Sequence, residues 1–450
     1  MTDTARLSAR EVVALVADPG TFGELPAPEG KYGPDGPLAW EGYDDARARA
    51  TARTGEDESV VCGTASVGGT RAVLVSFEFG FLGGSLGERT GDRIEAAYTY
   101  AREHRLPVVP LVATGGSRMQ EGMRALTQLQ RVARQSVLTR EAGLAQVAAL
   151  RDPTTGGGWA TLGAGADVIV ALEGAQVGFA GSRVRPADAD PEAYTARGQF
   201  AAGAVDAVVR PDDLAGTLAQ WLRLLTRPSA DPAPVPYALG RGDLPATGRE
   251  AVRRARAAER PRAEAYLDAY FTSRAAVSGD RCGGTDDGML CGFGESARDG
   301  RTIAYAAQTG TATRPAGYRT ATRLVRLAGR LGVPVLTLVD TPGAANDAEA
   351  ERAGQGAAIA DLFTALAASP VPVTTLVVGE GGSGGALALA APDRTWATPD
   401  SYFSVIAPEL ATAILKRDPA ETDATADQLH VRPQDLEDLG AVRGIAGTAP

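Results

Sequence analysis

Two separated stretches of this 450-residue chain repeat at one spacing. Arg105–Gly116, RLPVVPLVATGG, is matched 227 residues later by Gly332–Gly343, GVPVLTLVDTPG. Each is a Val/Leu-rich strand behind a proline, and each runs into a Thr-x-Gly turn. Pro153–Gly181 matches Glu380–Pro408 at the same offset, Gly157 against Gly384, with a one-residue slip at Asp167 and Asp393. A shared offset in two distant segments implies tandem duplication of one unit, so the same architecture has to be built twice.

The space between the copies agrees. Residues 226–248, TRPSADPAPVPYALGRGDLPATG, are rich in Pro, Ala and Gly without periodicity and read as a linker. That gives domains over 1–225 and 249–450. Within each, short apolar strands alternate with helical patterns, as in TRAVLVSFEFGF, then 92–103, then 108–113, which predicts an α/β architecture. PAGYRTATRLVRLAGRLG places Leu324, Leu327 and Leu331 on one face of an amphipathic helix.

The second copy contains TTLVVGEGGSGGALALAAPDR (Thr374–Arg394), with five glycines between Gly379 and Gly385. Glycine between a buried strand and a helix lets main-chain N–H groups face a ligand at close range. Three readings compete. Gly379, Gly381 and Gly384 form a dinucleotide pattern, with Asp400 near the distance of a ribose-binding acid. Gly381, Ser383 and Gly385 form a nucleophile elbow, with Asp423 and His430 following in order. The third is an oxyanion hole of main-chain amides. The paired segment in the first copy, DPTTGGG (Asp152–Gly158), keeps neither the full dinucleotide pattern nor the serine. What the copies share is a Gly-Gly pair before a small-residue helix, which favours the amides.

Bulk properties narrow the classes. A net charge of −10 speaks against a nucleic-acid binder. Three cysteines without C-x-x-C spacing supply no four-cysteine zinc site, and no metal is expected. No apolar run is long enough for a membrane span, and the first twenty residues lack a signal-peptide core, so a cytoplasmic location is expected.

FEFGFLGGSLGERTGDRI, ATGGSRMQEGMRAL and DPTTGGGWATLGAGADVIVALEGAQVGFAG resemble the β subunit of bacterial acetyl-CoA carboxylase carboxyltransferase. DTPGA, ERAGQGAAIADL, VVGEGGSGGALALA, YFSVIAPE and VRPQDLEDLGAVRGI resemble its α subunit, and LVADPGTFGEL near the start extends the likeness over nearly the whole chain. The resemblance is to a single-chain β–α fusion. It implies α/β tandem crotonase-like (ββα-spiral) domains. It further implies a homodimer or higher oligomer, with active sites between the first domain of one chain and the second of another. The family moves a carboxyl group from carboxybiotin, carried on a partner protein, to the α-carbon of an acyl-CoA thioester through an enolate. Motif matching places one oxyanion pocket at Gly116 and Ser117 and the other at Gly385 and Ala386. Gly83, Gly84, Arg118, Gly157, Gly158, Gly343 and Gly384 are expected to bind substrate, with an ion pair to Glu121 as the alternative role for Arg118. Glu380 is expected to be a solvated loop carboxylate. Three features depart from the family pattern. The β subunit's zinc ribbon is absent, QTGTATRPAGY (Gln308–Tyr318) replaces a longer basic stretch, and GAAND (Gly343–Asp347) replaces GAYPG. A biotin-independent malonyl-thioester decarboxylase and a non-catalytic carboxylase scaffold are the alternatives.

Overall fold

A computed structural model describes residues 7–30 and 32–448. The chain divides into two compact units at Thr226–Arg227. The first unit contains β1 (Gly23–Glu24), β2 (Val60–Val67), β3 (Thr70–Phe77), β4 (Val108–Thr114), β5 (Val147–Thr155), β6 (Val168–Leu172), β7 (Val177–Gly178) and β8 (Ala207–Val209). Its sheet runs β1-β2-β3-β4-β5-β6-β8, with β7 beside the end of β5. β2 and β3 form an antiparallel hairpin, and the strands from β3 onward are parallel. The second unit holds β9 (Phe271–Ala276), β10 (Met289–Ser296), β11 (Thr302–Gln308), β12 (Val335–Thr341), β13 (Val373–Gly382), β14 (Thr395–Ala397), β15 (Tyr402–Ser404) and β16 (Gly444–Ile445). Its order, β9-β10-β11-β12-β13-β14-β16 with β15 beside β13, repeats the plan.

The repeated strands β4 and β12 are buried at every residue. Continuous apolar runs of this kind suit a parallel sheet covered on both faces. The ladders also break at the same point. Pairing of β4 with β5 shifts between Val112 and Thr114, and pairing of β12 with β13 shifts between Val339 and Thr341, 227 residues on. The helices that matter below are α1 (Glu88–Glu103), α2 (Met123–Glu141), α3 (Gly248–Arg256), α4 (Pro315–Leu331) and the short α5 (Ser383–Leu387). Proline in the first turn and left-handed Gly332 at the end delimit α4, and Leu324, Leu327 and Leu331 are buried as its amphipathic pattern requires.

The stretch read as a linker is instead part of the second unit. Ala233 and Ala238 are buried. Thr374 Oγ1 donates to Ala233 O at 2.9 Å, Tyr270 Oη to Pro234 O at 3.0 Å, and Arg301 to the carbonyls of Asp231 and Pro232. Prolines remove N–H groups but leave carbonyls, and here side chains satisfy those carbonyls. Aperiodic composition therefore marks an extended strap.

Candidate active site

The Thr-x-Gly turn after β4 is held at three points. Gly116 N–H donates to Thr114 Oγ1 at 3.0 Å, and Leu86 N–H donates to Gly116 O at 2.9 Å. Arg118 N–H then donates to Leu86 O at 2.9 Å. Gly116 adopts φ +112°, a backbone that L side chains rarely accept. Because Leu86 takes the groups on either side, the N–H and C=O of Ser117 point away from it. The Ser117 N–H finds no acceptor among the described residues.

The second unit reproduces each contact at the 227-residue offset. Gly343 N–H meets Thr341 Oγ1 at 3.1 Å, Thr313 N–H meets Gly343 O at 3.2 Å, and Ala345 N–H meets Thr313 O at 2.9 Å. Gly343 has φ +141°, and the N–H of Ala344 is the one left without an acceptor among the described residues.

Opposite each turn, the following strand ends in glycines that open a helix. In the first unit these are Gly156–Gly158. A methyl group on Gly156 would come within 3.1 Å of Gly116 Cα, and one on Gly158 would overlap Thr114. In the second unit a methyl on Gly385 would overlap Ala344 N and approach Tyr318 Oη at 2.7 Å, whereas Gly384 faces open space. Each unit thus brings two segments together: Gly116 and Ser117 with Gly157 and Gly158, and Gly343 and Ala344 with Gly384, Gly385 and Ala386. The sequence reading put the first pocket at the turn and the second at the glycine helix start, and missed Ala344. The 227-residue step from Ser117 is the signal that finds it.

Gly83 and Gly84 sit under the first turn. Gly115 N–H donates to Gly83 O at 2.9 Å, and a methyl on Gly84 would overlap Ala113 O. They brace the turn through their main chain.

Arg118 does not reach toward a ligand. Its side chain is 0% exposed, and its guanidinium donates to Glu58 Oε2 at 3.0 Å, Ser59 Oγ at 3.1 Å, Ser85 O at 2.7 Å and Tyr43 Oη at 3.1 Å. Glu121 stands 3.5 Å away, so the expected ion pair exists, but Glu58 is the closer partner. Burial opposes the Glu58 carboxylate, yet the charge and hydrogen bonds of Arg118, with the Ser59 N–H, hold its pKa below the ordinary glutamate range. Glu380 is likewise not a solvated loop group. Its side chain is 14% exposed and accepts from Arg256 Nε at 2.8 Å and Tyr402 Oη at 2.9 Å.

Two of the glycine-run readings lose their support. Gly379, first in the dinucleotide pattern, makes room for Arg260 and Asp340, and Asp400 accepts the Arg241 N–H at 2.7 Å. In the elbow reading, Ser383 does occupy the left-handed region at φ +58°, but Gly156 fills the same slot in the first unit at φ +63°. The turn needs that backbone, with or without a hydroxyl. Asp423 pairs with Arg249 at 2.5 Å.

Comparison with known proteins identifies the family. Residues 38–208 match the carboxyl transferase domain family, and 246–448 match the family described as acetyl co-enzyme A carboxylase carboxyltransferase-like. The acetyl-coenzyme A carboxylase carboxyl transferase subunits beta/alpha of Salinispora arenicola is 38% identical over 466 residues, covering 98% of this chain and 82% of that protein. A probable biotin-dependent acyl-coenzyme A carboxylase beta3 subunit of Mycobacterium bovis is 34% identical over 432 residues, covering 91% and 84%. Among solved structures, transcarboxylase 12S with hydrolysed methylmalonyl-coenzyme A bound superposes with a TM-score of 0.80 at 21% identity, over 98% of this chain and 87% of that one. That likeness is one of fold, and the tandem crotonase-like α/β architecture expected from the sequence is the one found. The chain belongs to the acetyl-CoA carboxylase carboxyl transferase family, as an enzyme of carboxyl-group transfer whose β-like and α-like halves share one polypeptide.

Proposed function

We propose that this chain is the carboxyl transferase component of a biotin-dependent acyl-CoA carboxylase, and that its two turns are two oxyanion holes. The observation that carries this reading is the pair of main-chain N–H groups without acceptors among the described residues, Ser117 and Ala344. They are 227 residues apart, and each belongs to a turn packed against a glycine helix start. In the first unit, Ser117 N–H and the amides at Gly157 and Gly158 receive the thioester oxygen of an acyl-CoA. Removal of a proton from the α-carbon places negative charge on that oxygen, and donors already fixed in place stabilise it without reorganising. One such donor is worth about 10²–10³ in turnover. The second turn, Gly343–Ala344 with Gly384, Gly385 and Ala386, fits a ureido oxygen, because it offers an unpaired N–H beside a cradle that a Cβ would fill. Biotin on a separate carrier protein supplies the carboxyl group and the base when it is bound there. The chain's own contribution is therefore to bind, orient and stabilise charge. A cytoplasmic homo-oligomer working with a biotinylated carrier completes the reading.

The experiment is mass-spectrometric and runs the transfer in reverse. Purified protein is incubated with malonyl-CoA, and separately with methylmalonyl-CoA, with and without a soluble biotin derivative. Decarboxylated acyl-CoA that forms only with the biotin derivative is the expected result. Carboxyl loss of equal rate without it overturns this function in favour of the decarboxylase.

A further inference from the structure

We infer that Gln308 and Tyr318 are positioning residues that aim the second oxyanion turn by clamping the carbonyl of Gly385; this rests on the function proposed above. Tyr318 Oη donates to Gly385 O at 3.0 Å, and Gln308 Nε2 donates to the same oxygen at 3.3 Å and to Thr313 Oγ1 at 3.2 Å. Both side chains are fully buried, one at the end of β11 and the other in the first turn of α4. The carbonyl they hold is spare. The Leu389 N–H, which would reach back to Gly385 O in a longer helix, turns to Ala386 O at 3.1 Å instead. The peptide unit is planar, so a fixed Gly385 C=O also fixes the direction of the Ala386 N–H on its other side. That N–H belongs to the proposed hole.

The clamp also touches the other half of the turn. Thr313, which Gln308 contacts, is the residue whose N–H and C=O grip Gly343 and Ala345 and leave the Ala344 N–H free. Gln308 thus joins both segments of the hole through one buried amide. Gln355 adds a further tie, Nε2 donating to Thr313 O at 3.2 Å.

The duplication supplies the control. Strand pairing sets Ser76 beside Leu111 and Ala307 beside Leu338, so the counterpart of Gln308 is Phe77, while that of Tyr318, 227 positions earlier, is Gly91; neither has a side-chain donor. The first turn is built without such a clamp, so the shared fold does not require it. It is a specialisation of the second turn.

The test compares Tyr318→Phe, Gln308→Met and Gln308→Glu with the full wild-type chain, using malonyl-CoA and biocytin. Each of the first two is expected to lower kcat about tenfold, the scale of one lost hydrogen bond, with both KM values within about twofold. Gln308→Glu is expected to lose rate as pH rises through the pKa of the introduced carboxyl group, because only the protonated acid can donate to Gly385 O. Hydrogen exchange by mass spectrometry reads the clamp without turnover: amides over 382–389 should exchange faster in Tyr318→Phe, with β11 and β12 unchanged. Wild-type kcat in both Tyr318→Phe and Gln308→Met overturns the inference, as does unchanged exchange over 382–389. A wild-type chain without biotin-dependent turnover overturns the proposed function, while the exchange experiment still decides the clamp. A variant that fails to fold leaves the other to decide it.

Discussion

Arg260 Nη2 lies 2.6 Å from one carboxylate oxygen of Asp340 and 2.7 Å from the other, wholly inside the second unit. The pair ties the ends of two strands together. Asp340 ends its run two residues before Pro342 and accepts the Glu380 N–H at 3.1 Å, while Arg260 donates to Ala255 O and Val378 O. Breaking a buried pair on one side strands the other charge. Arg260→Leu is therefore expected to cost about 3–5 kcal/mol, read as a lower urea midpoint for the second unit's transition. No change in that midpoint would mean the pair is not holding the strand ends.

The first unit carries an acid-sensitive counterpart. Glu58 titrates below its ordinary value in the folded protein, so its stabilising contribution is present above the unfolded-state pKa and is lost as pH falls through the lower folded one. Unfolding free energy is expected to decline as pH falls below about 5, and Glu58→Gln should flatten part of that slope. Denaturant titrations at a series of pH values measure it.

Ser383 pays a conformational penalty that its repeat partner avoids. Ser383→Gly is expected to stabilise the protein by up to about 1 kcal/mol and to leave turnover within about threefold. A serine nucleophile would instead lose all activity, so one variant separates the two chemistries.

Ser117→Ala and Gly116→Ala form an opposing pair. The first keeps the main-chain donor and should retain turnover. The second places a Cβ at φ +112°, where the nearest neighbour is a comfortable 3.8 Å away, so only the backbone is strained. Gly116→Ala should re-aim the Ser117 N–H and lower kcat about 10²–10³-fold while the circular dichroism spectrum is kept. Equal kinetics in both would remove this turn from the reaction.

Thiol chemistry offers a check on burial. Cys62 and Cys291 are buried, and burial pushes each thiol up to about 12, whereas Cys282 is exposed. One rapid equivalent with Ellman's reagent is expected in the native state and three after denaturation.

What the sequence revealed was periodic. β-branched runs, the 227-residue offset and the alternation of strands with helices led to the repeated sheet, and the Thr-x-Gly turns marked the segments proposed as oxyanion holes. What it concealed were partnerships between distant residues. Arg118 and Glu58 are 60 positions apart, and nothing local to Arg118 shows that its guanidinium is already saturated. The 226–248 strap was hidden for another reason: its order comes from carbonyls bonded by side chains of other elements, and such bonds leave no period. Ala344 was hidden because its side chain is irrelevant, and only its place in the repeat marks it.

The two main-chain donors have a genetic consequence. A donor that belongs to the peptide group survives every substitution at its own codon except proline. A scan that replaces side chains one by one with alanine would pass over Ser117 and could not even be written at Ala344. Such a scan would report losses at Arg118, Arg260 and Asp340, which hold the scaffold, and at Gly116, Gln308 and Tyr318, which aim the donors, and would draw the centre of this enzyme around its supports.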